Sequence, residues 1–385
     1  MKTEPVRGFK DFTGKEAEKR AVIQEVVKSI FQKYGFEPAE TPVIELEEFV
    51  KSSGNEEDEA VSDIYKLKDK GKRNLALRYE FTFQLKRLMK NKKLPYKRFQ
   101  IGPVFRDEPV KGNRLRQFIS CDIDVLGAGL KEQADVLNAF REILEKLKIE
   151  SVFYINNRKL LNEILEEQKV REKDKEQVIR EIDKLDKLSE KEVKENLKKY
   201  NAEKVIDVFK NKKDFFKRYK NYSEISELIE YCEYYGLKVE FAPYLARGLS
   251  YYTGSVFEVK SKKIKETICG GGEYIFNNTR GFGFGVSIDR LAAVTNMVID
   301  FEKILIVSLE QDKKAIEIAQ KLRNKGKNVS LYYGKPSKAL EYANSYGFKK
   351  VVFIGAKEVK KKIINVKNMN TGEEKNISLT RIKSV

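Results

Sequence analysis

Apolar positions change their period several times along the chain, and each change marks an element. After a strand or loop running to Phe12, Ala21, Val22, Val26, Ile30 and Phe31 recur at helical spacing. Thr13 with Glu16 three residues on is a capping-box pattern for the start of that helix, and Gly35 is its expected C-cap. A strand follows at Thr41-Pro42-Val43-Ile44-Glu45. Residues 75 to 127 hold short β-rich runs broken by Gly102, Pro103, Gly112 and Gly127, which predict an antiparallel sheet with a long hairpin loop around Lys111-Gly112-Asn113. A helix is expected from Leu130 to Leu147. From Arg158 to Tyr222 the pattern turns to ion-dense helix, with Val178, Ile182 and Leu185 on one stripe and Ser189 with Glu192 as a second capping box.

The β pattern returns at Val239-Glu240-Phe241, at Val256-Phe257-Glu258-Val259 and in a glycine-rich strand, and Arg290 begins the next helix. Beyond Lys303, the runs Ile304-Leu305-Ile306-Val307, Val329-Ser330-Leu331-Tyr332 and Val351-Val352-Phe353-Ile354-Gly355 alternate with helices, the first over about Lys313 to Asn324. Buried strands alternating with helices predict a separate, mainly parallel α/β domain.

The length of 385 residues leaves room for two or three domains. With 41% apolar and 35% charged residues, no run of eighteen apolar residues and no apolar N-terminal core, the expectation is a soluble, cytoplasmic protein with no membrane span. Cys121, Cys232 and Cys269 lie far apart and form no CxxC pair, which argues against a disulfide framework and a zinc site. The net charge of +18 implies a polyanionic partner. Residues 303 to 385 hold 19 Lys and Arg against 7 Asp and Glu, so +12 of that excess sits at one end. Histidine is absent altogether, which excludes every mechanism that needs an imidazole. Chemistry must run on arginine, carboxylates and tyrosine.

Two segments have the residue types for phosphate chemistry. The first is Phe105-Arg106-Asp107-Glu108 with Arg114, Arg116 and Phe118, and the second is Gly281-Phe282-Gly283-Phe284-Gly285-Val286-Ser287-Ile288-Asp289-Arg290. A guanidinium is always charged and its planar fork matches phosphate oxygens, while Phe118 offers a flat face to a purine. The alternating glycines suit a strand that another group approaches closely.

In order, spacing and residue type these segments resemble motifs 2 and 3 of class II aminoacyl-tRNA synthetases. Leu245-Ala246-Arg247-Gly248-Leu249-Ser250-Tyr251-Tyr252-Thr253-Gly254 resembles the amino-acid-recognition motif of the histidyl-tRNA synthetase family, usually Arg-Gly-Leu-Asp-Tyr-Tyr. Leu75-Ala76-Leu77-Arg78-Tyr79-Glu80-Phe81-Thr82 and Cys121-Asp122-Ile123-Asp124 extend the resemblance over essentially the whole chain. It implies an α+β fold: a class II-like antiparallel sheet flanked by helices over residues 1–157 and 223–300, a helical insertion at 158–222, and an anticodon-binding-like α/β domain at 303–385. Thr41 to Glu45 resembles motif 1, through which the family forms homodimers.

The implied activity is ligation of L-histidine to its tRNA through a histidyl-adenylate, with ATP and Mg²⁺. Carried across by position, Arg106, Arg247 and Arg290 are the expected catalytic residues. Arg106, Glu108, Arg114, Phe118 and Arg290 would bind ATP. Glu80, Thr82, Ser120, Asp124, Arg247, Tyr251 and Tyr252 would bind histidine, with Glu80 and Asp124 holding its α-ammonium, and no residue is assigned to a protein-bound metal. Because neighbours on a strand face opposite ways, one of the two tyrosines is open to a purely structural role.

Three residues depart from the family pattern: Ser120 stands where Gln is usual, Ser250 where Asp is, and Glu273, after Gly270-Gly271-Gly272, where Arg is common. They are expected to weaken the ammonium site, loosen the loop and reverse a charge near the pocket. The alternative they raise is a non-charging, synthetase-like regulatory subunit of ATP phosphoribosyltransferase. Against it stand the intact arginines and the basic C-terminal domain, which that relative typically lacks. A nucleic-acid-binding accessory protein on the same scaffold would keep the charge without the arginine clamp.

Overall fold

The computed structural model describes residues 3–51, 63–110, 115–247, 251–264, 267–298 and 301–379. It divides into two compact units, Met1–Met297 and Val298–Val385. The first unit's strands are β1 Glu37–Pro38, β2 Ile44–Leu46, β3 Lys66–Lys68, β4 Asn74–Leu77, β5 Tyr96–Phe105, β6 Gln117–Leu126, β7 Val152–Asn157, β8 Val239–Phe241, β9 Tyr252–Lys260, β10 Cys269–Phe276 and β11 Thr279–Ser287. Eight of them form one sheet in the order β1-β5-β6-β11-β10-β9-β7-β8, antiparallel except at its two edges. A small sheet, β2-β4-β3, stands apart. Asn277 and Asn278, both at positive φ (47° and 58°), make the two-residue turn between β10 and β11, where asparagine tolerates the left-handed backbone.

Period two sorts the sheet's faces. Cys121, Ile123 and Val125 of β6 point into a core shared with Phe31 of helix Gly14–Lys33 and Phe140 of helix Leu130–Lys146. Phe284 bridges them, with ring centroids 6.1 Å from Phe31 and 4.8 Å from Phe140. The other face of β6 is left for the site.

The first helix differs from the sequence reading in two ways. Its buried stripe is Arg20, Ile23, Val27, Ile30 and Phe31, while Ala21 is exposed and Val22 and Val26 are half-buried. Arg20 rotates the stripe inward because it pairs with Asp289 at 2.5 Å and lies over the Phe12 ring at 3.8 Å. The capping box does not form. Thr13 makes no side-chain cap bond, and Glu16 pairs with Lys10 at 2.9 Å instead. Gly35 does close the helix at φ 77°, where Phe36 N–H reaches the Phe31 carbonyl.

The box at Ser189 does form, with Glu192 N–H to Ser189 Oγ at 3.3 Å and Ser189 N–H to Glu192 Oε2 at 2.8 Å. The helical stretch around it shares the sheet's core. Val178 and Ile182 are fully buried, and the rings of Phe216 and Tyr222 sit 5.1 and 5.3 Å from Phe241 on β8.

In the second unit β12 Lys303–Ser308, β13 Asn328–Tyr333, β14 Lys350–Ile354, β15 Ile363–Asn368 and β16 Glu374–Ser378 form a sheet in the order β13-β12-β14-β15-β16. Only its first three strands are parallel, so the expected mainly parallel sheet is mixed. The connections into β15 and β16 are too short for a crossover and admit only antiparallel neighbours. Ile304, Ile306 and Val352 face helix Asp312–Arg323, and Leu305, Val307 and Val351 face helix Pro336–Ser345. Both sides are therefore covered.

Candidate active site

On the open face of β6, Phe118, Ser120, Asp122 and Asp124 follow one another at every second residue and floor a cavity of about 210 Å³. The cavity is also lined by Glu80, Thr82, Arg106, Glu108, Arg247, Tyr251, Tyr252 and Arg290. Every expected site residue among those described thus faces one space. Arg114 and Ser250 lie outside the described residues.

The walls are set by ordinary backbone chemistry. Glu80 and Thr82 follow β4 in a turn pinned by buried Arg78, which donates to the carbonyls of Pro103 at 2.7 Å and Thr41 at 2.9 Å. Arg106, just past β5, stacks its guanidinium over Tyr79 at 4.3 Å and Phe118 at 5.2 Å and lies 3.8 Å from Glu108. Arg116 is spent on structure, donating to the Glu108 carbonyl at 3.1 Å. Ser287 caps helix Ile288–Val294 by accepting from Arg290 N–H at 3.1 Å, and Arg290 Nη1 donates to the Thr267 carbonyl at 2.8 Å.

Arg247 sits at φ 59°, a left-handed conformation that costs a residue with a Cβ about 1–2 kcal/mol. Its guanidinium is held by Glu258 at 2.7 Å over Gly270, where a Cβ would stand 2.6 Å from the guanidinium carbon. Burial opposes its charge, but Tyr252 and the Glu258 carboxylate overrule that and hold its pKa above the ordinary value. Gly285 does for Asp122 what Gly270 does for Arg247, since a Cβ there would come within 2.9 Å of Asp122 Oδ1.

Tyr251 and Tyr252 both line the cavity, their rings 4.7 Å apart. The alternation argument does not apply to this pair because Tyr251 precedes β9, where strand geometry has not begun.

The acidic residues differ sharply from one another. Burial and the neighbouring Asp122 push the Glu80 carboxyl up to about 8, so it is mostly neutral at pH 7. Burial pushes Asp124 up to about 6 against the pull of fully buried Arg98, 2.6 Å away, and of a hydrogen bond donated by Tyr274. Asp122 is also raised by burial and accepts a hydrogen bond from Ser120. Unlike Asp124, it has no cationic side chain within ion-pair distance among the described residues.

Arg106 Nε, Arg247 Nε and Glu80 Oε1 are buried without hydrogen-bond partners, although an unpaired buried polar group costs about 1–3 kcal/mol. Such groups are what a polar substrate satisfies.

Asp122, Arg98 and Tyr274 were missed from the sequence. Asp122 was legible, since it falls midway between Ser120 and Asp124 on the same face. Arg98 acts on Asp124 from the neighbouring strand β5 and Tyr274 from β10, across β11, which no local pattern reveals. Glu273 was misjudged. It does not line the cavity; it points to the opposite side, where Gln133 donates to it at 2.8 Å and Arg280 lies 3.5 Å away.

A family model described as histidyl-tRNA synthetase matches residues 8–291, and one described as anticodon binding domain matches residues 303–385. The chain is 32% identical to histidine–tRNA ligase 1 of Bacillus cereus, with 100% of this chain and 97% of that one covered. It is 33% identical to the histidine–tRNA ligase of Methanocaldococcus jannaschii, covering 98% and 97%. This chain belongs to the histidyl-tRNA synthetase family. Among solved structures, a histidyl-tRNA synthetase from Nostoc matches with a TM-score of 0.87 at 24% identity, covering 100% and 99%. A protein titled ATP phosphoribosyltransferase regulatory subunit/histidyl-tRNA synthetase, from Bacillus halodurans, matches at 0.77 and 22%, covering 91% and 98%. At those identities the likeness speaks for the fold, which is that of the family.

Proposed function

We propose that this chain ligates L-histidine to its tRNA through a histidyl-adenylate, using ATP. The observation that carries the reading is the convergence of Arg106, Arg247 and Arg290 on one acid-floored cavity in a chain of this family. A histidine carboxylate oxygen bonds to the α-phosphorus, the α–β bridging bond breaks, and pyrophosphate leaves. The carboxylate is already an anionic nucleophile, so no imidazole base is required and a chain without histidine can run the step. What the step needs is orientation and charge neutralisation, which fixed guanidinium groups supply without reorganising. A tRNA hydroxyl then takes the acyl group and AMP departs.

In this reading Arg106 and Arg290 hold ATP phosphates, with Glu108 and Phe118 on the adenine and Arg114 on the outer phosphates. Mg²⁺ arrives as part of the nucleotide substrate, as counter-ion to its phosphates. Arg247 stands between the substrate carboxylate and the α-phosphate. Thr82 and the hydroxyls of Tyr251 and Tyr252 offer polar contacts to the imidazole. For the α-ammonium, Asp122 fits better than the residues first expected, since Glu80 is mostly neutral and Asp124 is already paired with Arg98. Ser120 orients Asp122 rather than reaching the substrate itself.

The residue divisions 1–157 with 223–300, 158–222 and 303–385 are kept as functional segments for catalysis, insertion and tRNA binding. A cytoplasmic homodimer fits the half-exposed Ile44, within the motif 1-like segment, and Leu46 just after it on β2. No helix among the described residues is long and apolar enough to cross a membrane. The test is histidine-dependent exchange of pyrophosphate into ATP. Exchange with another amino acid, or none, sinks the reading, and none would favour a regulatory role.

A further inference from the structure

Helix Gly14–Lys33 meets helix Ile288–Val294, whose first turn carries Arg290, through a buried ion pair. Arg20 Nη1 lies 2.5 Å from Asp289 Oδ1 and Nη2 lies 3.4 Å from Oδ2, while the Phe12 ring covers the guanidinium at 3.8 Å. The two side chains are 9% and 16% exposed, so water screens the pair little. Holding the helices together does not call for it. Lys19 Nζ already donates to the Ala292 carbonyl at 2.6 Å, and Ile23, Val27, Ile288 and Leu291 share one core. Taking two charges out of water is costly, and apolar residues of similar volume join two helices at least as well.

What sets Asp289 apart is its place. It lines the same cavity as Arg106 and Arg290 and directly precedes Arg290 in the chain. A bare carboxylate there would repel the phosphates of a nucleotide and compete with them for the arginines. Arg20 does not line the cavity, so it neutralises the carboxylate from behind and takes no room from the substrate.

We propose that Arg20 masks Asp289, and that this mask keeps the phosphate end of the cavity positive. Arg20 is thus a positioning residue of the nucleotide site that touches no substrate itself. The inference rests on the ATP-dependent ligase reading and adds to it a residue from the N-terminal helix.

The experiment compares wild type, Arg20→Gln and the double variant Arg20→Gln/Asp289→Asn in histidine-dependent pyrophosphate exchange, with ATP and histidine varied separately. Melting curves followed by circular dichroism report the folding of each. Arg20→Gln bares the carboxylate and is expected to raise the Michaelis constant for ATP by about tenfold to 100-fold, the effect of one uncompensated charge close to the phosphates. The constant for histidine should keep its wild-type value. Removing the charge together with its mask, as the double variant does, should return the ATP constant to near wild type. A mere helix staple would behave otherwise: the double variant would be at least as impaired as Arg20→Gln, and both Michaelis constants would rise together. Either result overturns the mask, as does Arg20→Gln with unchanged ATP kinetics. If Arg20→Gln does not fold, the double variant decides alone, since a raised ATP constant there cannot come from an unmasked charge. Calorimetric titration with ATP on the same proteins reads the mask without the reaction. Affinity lost in Arg20→Gln and regained in the double variant supports it, whereas exchange absent from wild type would sink the ligase reading and leave the mask standing.

Discussion

The two units place their charges in opposite ways. In the first, charge is turned inward: Arg78, Glu80, Arg98, Asp122, Asp124 and Glu258 are all buried around or beneath one cavity. In the second, Ser308 is the sole buried polar side chain among the described residues, and the lysines cover an apolar, two-sided core. Buried charge is expensive to hold and survives only when paired or hydrogen-bonded, but it acts at full strength on a small substrate because water does not screen it. Surface charge costs little, is screened by salt, and reaches a large polyanion over many contacts. The contrast fits the proposed division, small-molecule chemistry in one unit and RNA holding in the other.

The largest expected effect tests the inward charges. Arg247→Ala and Arg290→Ala should each lower pyrophosphate exchange by about 10²–10³, the usual consequence of removing one transition-state charge stabiliser, or about 2.7–4 kcal/mol. Circular dichroism should show both variants folded. Full exchange in either would remove it from the catalytic set.

The acids come next. Asp122→Asn should raise the Michaelis constant for histidine by about tenfold to 150-fold, since a hydrogen bond to a charged group is worth about 1.5–3 kcal/mol. Ser120→Ala should raise it only severalfold, because the serine acts through Asp122. Steady-state exchange kinetics separate the two. If Ser120→Ala proves as damaging as Asp122→Asn, the serine touches substrate directly and the assignment between them is wrong.

Legibility in the sequence follows the same division. In the second unit β12, β13, β14 and the helices between them could be read from their apolar runs, whereas β15 and β16, whose antiparallel pairing makes the sheet mixed, were not, because β16 buries no residue and β15 only Ile364 and Val366. In the first unit the helix Gly14–Lys33 was placed correctly, yet its buried stripe was misjudged, because buried Arg20 broke the rule that charged residues face water. The site arginines were legible through motif spacing. The apparatus that tunes the acids was not, for Arg98 and Tyr274 reach Asp124 from β5 and β10, 26 and 150 residues away in sequence. A charge reversal at Glu273 looked important only because sequence proximity to the glycine run hid which side of β10 it faces.

Salt tests the outward charges. Replacing Lys357, Lys360, Lys361 and Lys362 with glutamine should flatten the dependence of tRNA affinity on salt, each lost phosphate contact lowering the log–log slope by about 0.7–0.9. Filter binding between 50 and 200 mM salt is a suitable range. Pyrophosphate exchange should not change, since those residues lie in the second unit. An unaltered slope would mean these lysines are solvated decoration and that RNA is held elsewhere.

The smallest effect is thermal and separates the units by pH. Glu80 has its folded pKa raised to about 8, above its ordinary value near 4.5, so the folded state favours its protonated form. The linkage sign follows. A group with a raised folded pKa contributes stability that is fully present below the unfolded value and is lost as pH climbs through the folded one. Glu80→Gln keeps the shape and the neutral state but cannot ionise. Its melting temperature should therefore match wild type near pH 5, exceed it progressively from pH 5 to 8, and hold a constant advantage above pH 8. A substitution in the second unit that changes no ionisable group, such as exposed Asn344→Gln, should show no such rise, because it alters no proton binding. Scanning calorimetry from pH 5 to 9 on the three proteins reads the difference directly. A constant offset for Glu80→Gln at every pH would mean that Glu80 is charged throughout, and the α-ammonium would then have to be reassigned to it in place of Asp122.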